Sequence, residues 1–281
     1  MIMAKTAEKK VLVRDNAFQR FEVLKTNRNK RYRYNEFLVE GVRSLNEAVS
    51  NNWNIKSLLY SGDRASLSGW ASDMLQNVPT EVNYCLEPEL MRELSGKEDT
   101  SELMAVIEMR EDRLDAVTLS GQPLIVLFDR PSNKGNLGTL IRSCDSFGAD
   151  MLILTGHAVD LYDPDVVTAA MGSFFSVPVV RAEDNRALLA YIGSLKERYP
   201  DFTMIGTTAH KEHPVSSVNL AVPLMLMVGN ETKGLNRAFK DSCDMLCTIP
   251  MAESSHASSL NVSCAASILL YEVVRQRTGS V

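Results

Sequence analysis

The sequence predicts an α/β protein in two parts, the second built on a mostly parallel sheet. Three observations carry this. After Pro123, six apolar runs recur: LIVLF (124–128), MLILT (151–155), VPVV (177–180), TMIG (203–206), LMLMV (224–228) and MLCTI (245–249). They are continuous rather than alternating, as strands buried on both faces are. Between most of them lie stretches such as LGTLIRSCDSFG and ALLAYIGSLKERY, with apolar residues three and four apart as on one helix face.

Taken in order, residues 1–17 form an N-terminal extension. FEVLKTNRN reads as a helix running into a basic loop, EFLVEG as a strand, and VRSLNEAVS as the helix after it. IKSLLYS and EVNYCL are further strands, EPELMRELS a helix and ELMAVIEM a strand. Residues 18–111 therefore make a small α/β domain. DRLDAVTLSGQP (112–123) breaks the periodicity and is expected to be a linker. Residues 124–281 form the second domain. Its last segment, LNVSCAASILLYEVVRQR, suits a long helix whose buried stripe is Leu260, Ala265, Ile268, Leu269 and Val273.

With 281 residues, 45% hydrophobic and 23% charged, the chain can bury a core, which excludes disorder as its main state. No window approaches the ~18 uninterrupted apolar residues of a bilayer crossing. MIMAKTAEKK has early charges and no apolar signal core, so a cytoplasmic protein without a membrane partner is expected. Cys85, Cys144, Cys243, Cys247 and Cys264 are an odd, sparse set that suits a reducing compartment. Cys243 and Cys247 lack a second ligand pair and read as packing, so no metal is expected.

The net charge of −5 is unevenly spread, because residues 1–50 carry eleven Lys or Arg against six Asp or Glu. Lys25, Arg28, Lys30, Arg31 and Arg33 form a run without an acid, interleaved with Tyr32 and Tyr34. Such a run offers nucleic-acid phosphates a cationic surface and bases a stacking partner. On charge alone it is equally a solvated loop.

Ligands of open parallel sheets gather where strands end, and three segments follow such ends. After LIVLF comes DRPSNKGNLGTLIR, in which Asn136 suits a helix N-cap and Arg142 lies nearly two turns on; a glycine turn with a surface arginine fits equally. After LMLMV comes GNETKGL (229–235), whose glycines let backbone approach a ligand. It lacks the lysine position of a phosphate loop, and no G-x-G-x-x-G follows an early strand, which discounts ATP, GTP and dinucleotides. After MLCT comes IPM, then AESSHASS, then LNVS (260–263), whose Ser and Asn residues can cap a helix or face a ligand.

Together, in order and context, these segments resemble the three motifs of the SpoU (TrmH) family of SPOUT-class RNA ribose methyltransferases. Residues 129–149 are similar to the first, VGNETKGL to the second, and IPM with SLNVS and YEVVRQR to the third. The resemblance covers 124–277. Residues 18–111 look like the ribosomal-protein-like RNA-binding domain often joined ahead of it.

The resemblance implies a C-terminal trefoil knot that forms an S-adenosylmethionine pocket, and a homodimer that completes the active site. The cofactor would be held by Thr207, Val228, Gly229, Asn230, Ile249, Met251, Ser259 and Leu260. The reaction implied is methyl transfer to a ribose 2′-hydroxyl, with ribosomal RNA favoured over transfer RNA because structured RNA is read by shape. Asn136, Arg142, Glu231, Ser259 and Asn261 would be catalytic. Relatives give the arginine a part as general base, but a guanidinium with a pKa above ~12 is a poor base. Phosphate anchoring and oxyanion stabilisation suit Arg142 better. Asn136 and Asn261 would position the arginine and ribose, Ser259 would bond near the hydroxyl, and Glu231 would order the second loop. The alternatives are a transfer-RNA 2′-O-methyltransferase, a base methyltransferase, and an RNA-binding protein of the same fold without turnover. The third motif is about two residues longer than the family pattern, with Glu253 where glycine is common; His256 reads more readily as a surface residue than as a substrate contact.

Overall fold

The computed structural model describes residues 6–279 apart from 63, 183 and 211, so residues 1–5 of the expected extension lie outside it. The chain divides into two compact units. One is Met1–Arg110 with Tyr162–Ser176; the other is Glu111–Leu161 with Val177–Val281.

The first unit contains β1 (Ala7–Val11), α1 (Asn16–Thr26), α2 (Arg28–Tyr34), β2 (Glu36–Glu40), α3 (Val42–Ser50), β3 (Ile55–Ser61), α4 (Gly69–Asn77), β4 (Val82–Leu86), α5 (Pro88–Ser95) and β5 (Leu103–Glu108). Its mixed sheet runs β1-β4-β3-β5-β2, with β1 and β3 parallel to β4 and β5 antiparallel to β2 and β3. The Asp15 carboxylate accepts from the Ala17 and Phe18 amides and starts α1. That helix then buries Phe18, Phe21 and Leu24 against the sheet, with Leu59 and Met104, and against Met91 of α5. Two expectations are corrected. The extension contributes the edge strand β1, and the basic loop is the helix α2, capped by the Asn27 side chain at the Lys30 amide and ended by Asn35 at φ 56°.

The second unit contains β6 (Leu124–Asp129), α6 (Lys134–Ser146), β7 (Met151–Thr155), β8 (Val179–Arg181), α8 (Asn185–Arg198), β9 (Thr203–Thr207), the short β10 (His213–Pro214), β11 (Leu224–Val228), α9 (Arg237–Ser242), β12 (Met245–Thr248) and α10 (Val262–Thr278); α7 (Pro164–Ala169) falls between β7 and β8 in sequence. The strand order is β10-β12-β9-β11-β6-β7-β8, and each of these pairings is parallel. Order reverses at β6, so the ends of β6 and β11 flank the crevice where such sheets bind ligands. Ile125, Leu127, Met151, Ile153, Met225 and Met227 form one face of the core with Leu188, Ile192 and Leu195 of α8.

The linker expectation is also corrected. Leu119 is buried in this core, with Leu114 and Val117 packed against it, and Asp112 pairs with Arg181. Burying a leucine contributes about 1.5–3 kcal/mol, which draws an irregular segment inward. The stripe of α10 differs too. Ala266, Leu269, Leu270 and Val273 are buried, whereas Leu260 and Ile268 are 39% and 41% exposed. This helix is apolar on more than one side, so two phases satisfy the pattern. Packing on α6, where the Ser143 and Ser267 hydroxyls meet at 2.8 Å, selects one.

The segment Tyr162–Ser176 lies within the expected second domain but joins the first unit. The Phe37 ring stands 4.8 Å from Tyr162 and 5.7 Å from Phe174, and Trp53 stands 5.3 Å from Phe175. Trp53 Nε1 donates to the Phe175 carbonyl at 2.9 Å. These edge and tilted contacts are favourable ring geometries.

Candidate active site

At the end of β6, Asp129 is 1% exposed. Its carboxylate accepts from Arg130 Nε and Nη2 at 2.9 and 2.7 Å, from Thr155 Oγ1 at 3.0 Å and from the Asn236 amide at 2.8 Å. Burial pushes this carboxyl up, but Arg130, the Asn236 amide and Thr155 together hold it below the usual range. The N-cap of α6 is Asn133 rather than Asn136: the Asn133 side chain accepts from the Asn136 amide at 2.9 Å. That places Asn136 inside the first turn with its side chain free to face the loops.

A polar relay joins the three predicted motifs. Glu231 accepts from the Ser132 amide (2.9 Å) and hydroxyl (2.6 Å), the Asn133 amide (3.0 Å), Asn136 Nδ2 (3.4 Å) and Asn230 Nδ2 (3.3 Å). Burial raises the Glu231 pKa, and these donors more than offset it, leaving the carboxyl below its ordinary range. Asn136 Oδ1 accepts from Asn261 Nδ2 at 3.1 Å. Asn261 Oδ1 in turn accepts from the Ser263 amide at 2.9 Å as the N-cap of α10. The helix-cap and ligand-facing readings of this asparagine therefore resolve into a cap whose other end reaches the relay.

Beside the relay, the loops after β9, β11 and β12 and the start of α10 enclose a cavity of about 290 Å³. Thr207, Val228, Gly229, Asn230, Ile249, Met251, Ser259 and Leu260, the residues expected to hold a cofactor, all line it, and so does Glu231. Its size is at the lower end of the ligand-site range. Gly229 is where glycine is required: a Cβ would come within 2.1 Å of the Leu235 backbone nitrogen. Sequence reading missed several lining residues, among them His210, Lys233, Lys240, Cys247 and Leu269. Lys233 lies inside the second motif and His210 in the loop that follows β9, a strand end represented among the expected residues by Thr207 alone, whereas Lys240 lies within α9 and follows no strand-end pattern. Burial pushes the Cys247 thiol up to about 12 and Cys243 to about 11, and Cys243 Sγ lies 3.7 Å from Met227 Sδ; both are packing groups.

Of the five residues expected to be catalytic, Asn136, Glu231 and Asn261 meet in the relay and Ser259 lines the cavity. Arg142 is elsewhere: it is exposed on α6, lies outside the cavity lining and has no side-chain bond among the described residues. His256 and Glu253 are exposed in the irregular segment before α10 and do not line the cavity.

The basic run of the first unit divides. Arg28 and Arg33 are exposed and Lys30 half-buried on α2, with Arg28 over the Tyr32 ring at 5.5 Å. Arg31 and Lys25 are corrections, because both serve the fold. Arg31 is 2% exposed, donates to the Leu24 and Lys25 carbonyls at 2.8 and 2.9 Å and stands 3.5 Å from Asp163. Lys25 Nζ donates to Leu94 and Ser95 carbonyls, both at 2.8 Å, at the C-terminus of α5.

A parallel α/β sheet whose strand-end loops close on one mixed polar and apolar cavity defines a protein with a built small-molecule site. The particular kind follows from comparison, and the chain belongs to the SpoU rRNA Methylase family, whose sequence profile matches residues 123–271. A SpoU L30e-like domain matches residues 15–105. The chain is 42% identical over 272 residues to the 23S rRNA (uridine(2479)-2′-O)-methyltransferase of Streptomyces viridochromogenes, covering 96% of this chain and 93% of that protein. It is 28% identical over 246 residues to the 23S rRNA (guanosine(2553)-2′-O)-methyltransferase RlmP of Bacillus subtilis, covering 88% and 91%. Among solved structures, the SpoU methyltransferase AviRb from Streptomyces viridochromogenes in complex with AdoMet superposes with a TM-score of 0.86 at 39% identity, covering 95% of this chain and all of that one.

Proposed function

We propose that this protein is an S-adenosylmethionine-dependent methyltransferase that modifies a ribose 2′-hydroxyl of 23S ribosomal RNA. The observation that carries it is the relay from Glu231 through Asn136 to Asn261, which joins the three motif loops beside the cavity lined by the eight expected cofactor residues. The full-length relative acting on 23S rRNA supports the substrate class.

The cavity suits the cofactor. Val228, Ile249, Leu260 and Leu269 supply apolar walls, Thr207, Asn230 and Ser259 supply hydrogen-bonding groups, and Gly229 admits close backbone approach. Bound there, S-adenosylmethionine supplies an electrophilic methyl group on its sulfonium. The chain must then orient a 2′-hydroxyl in line with that methyl group and stabilise the charge growing on oxygen. Glu231 is not a proton acceptor: five donors fill the roughly four lone-pair sites of a carboxylate, so its part is to fix the first two loops together. Asn136 and Asn261 hold the relay, and Ser259, which lines the cavity, supplies a hydroxyl to orient the ribose. Arg142 anchors phosphate and oxyanion through its guanidinium.

In this reading Arg142 acts from a second copy. It lies outside its own chain's cavity, and Ile268 and Tyr271 of α10, 41% and 57% exposed, leave apolar surface open. A homodimer covers that surface and brings the arginine to the neighbouring cavity. The threading of α10 through the loops as a trefoil knot belongs to the same reading, as does a cytoplasmic site of action; no helix among the described residues is long and apolar enough to cross a membrane. RNA contact falls to the exposed Arg28 and Arg33 and the half-buried Lys30 on α2, whose cations suit phosphate binding.

Tritium-methyl transfer onto 23S rRNA from a strain lacking the gene, followed by digestion to nucleosides, tests this. A 2′-O-methylated nucleoside is expected, and the uridine modified by the Streptomyces relative is the first position to map. Label on a base, or on transfer RNA alone, would overturn the assignment. Arg142→Ala is expected to lose transfer by at least a thousandfold while keeping cofactor affinity within threefold.

A further inference from the structure

We infer that Arg130 is a positioning residue: anchored on buried Asp129, it holds the loop Gly229–Leu235 in the shape that forms one wall of the cavity. The consequence for turnover rests on the cofactor reading above; the grip on the loop does not.

Arg130 adopts φ 51°, a left-handed conformation that costs a side chain of this size energy and costs glycine none. A strained residue persists where its surroundings over-determine it, and here they are visible. Its guanidinium holds Asp129 through two bonds of 2.9 and 2.7 Å. Asp129 cannot swing away, because Thr155 and the Asn236 amide also donate to it. From this fixed base, Arg130 Nη2 reaches the Gly234 carbonyl at 3.3 Å, and the Arg130 carbonyl accepts from Asn230 Nδ2 at 2.7 Å.

Arg130 thus grips the loop at Asn230 and Gly234. Those two residues are themselves closed on each other by reciprocal backbone bonds of 3.1 and 2.9 Å. The stretch between the grips, with its neighbours Gly229 and Leu235, lines the cavity, whereas Arg130 does not; it acts through the loop and not on a ligand. Gly156 completes the arrangement. It sits at φ 59°, and a Cβ there would fall 2.6 Å from Arg130 Cγ, so this glycine leaves room for the arginine stem. A lysine would keep the charge beside Asp129 but not the fork that spans Asp129 and Gly234.

The test combines hydrogen exchange on the cofactor-free protein with steady-state kinetics, for Arg130→Lys and Arg130→Gly. Lysine preserves charge next to Asp129 and guards the fold; glycine removes the side chain without backbone cost. Amides of 229–235 are expected to exchange at least tenfold faster in Arg130→Gly and by an intermediate factor in Arg130→Lys, with α8 keeping wild-type protection. KM for S-adenosylmethionine should rise at least tenfold in Arg130→Gly with kcat within threefold, and Arg130→Lys should recover part of the loss. Unchanged exchange at 229–235, or acceleration spread equally over α8, overturns the proposal. Faster exchange confined to the loop in a protein whose wild type binds no S-adenosylmethionine supports the clasp and overturns the cofactor reading instead.

Discussion

At the scale of single residues, the site is organised by side chains whose hydrogen-bonding capacity is already spent within the protein. Glu231 illustrates it: a carboxylate with five donors serves as a junction. Because its pKa is held below the ordinary value of 4.5, its contribution to stability is present above that pH and is lost as pH falls through the lowered value. Glu231→Gln should therefore melt below the wild type at pH 7, and the gap should narrow as the pH is taken from 6 toward 3. A gap that stays constant would show that the charge is not what joins the loops. Asn136, Glu231 and Asn261 could be singled out because each falls in a motif segment that follows an apolar run, whereas the hydrogen bonds that join them leave no mark in the spacing. Arg31 was not legible. Its burial depends on carbonyls left open at the end of α1 and on Asp163, over a hundred residues away in sequence, and nothing in the run KTNRNKRYRY separates a buried arginine from its exposed neighbours. Arg130 escaped for a related reason: its importance lies in a backbone conformation and a two-sided grip, neither of which leaves a spacing signature.

At the scale of elements, the continuous apolar runs became strands because both faces of the second sheet are covered, and their order then fixed which loops could meet. The failures have physical causes as well. AEKKV forms the edge strand β1 with four of its five residues exposed, and an edge strand facing water needs no apolar alternation. The basic stretch folded as α2 because Asn27 and Asn35 terminate it, an arrangement that charge content conceals. The segment Tyr162–Ser176 is the least predictable element, since its value lies in Phe174 and Phe175 joining Phe37 and Trp53 of the first unit. Phe175→Ala is expected to cost about 3–5 kcal/mol of stability, as large-to-small core changes do, measured by urea unfolding. A loss below ~1 kcal/mol would mean that this segment is a passive connection.

At the scale of the molecule, a cationic helix lies in one unit and a strand-end cavity in the other, the distribution expected when one part of a chain holds RNA and another holds a small methyl donor. The exposed Ile268 and Tyr271 of α10 and the exposed Arg142 of α6 are where the proposed second copy would dock. All of it depends on the cavity beside Gly229 being built for an adenosyl donor, and calorimetric titration of S-adenosylmethionine into the wild type and Gly229→Ala asks this most directly. The wild type should give saturable heat at one equivalent per chain. The variant, whose added Cβ collides with the Leu235 backbone, should lose at least tenfold in affinity. An absence of heat with the wild-type protein, or undiminished binding by Gly229→Ala, would contradict the account.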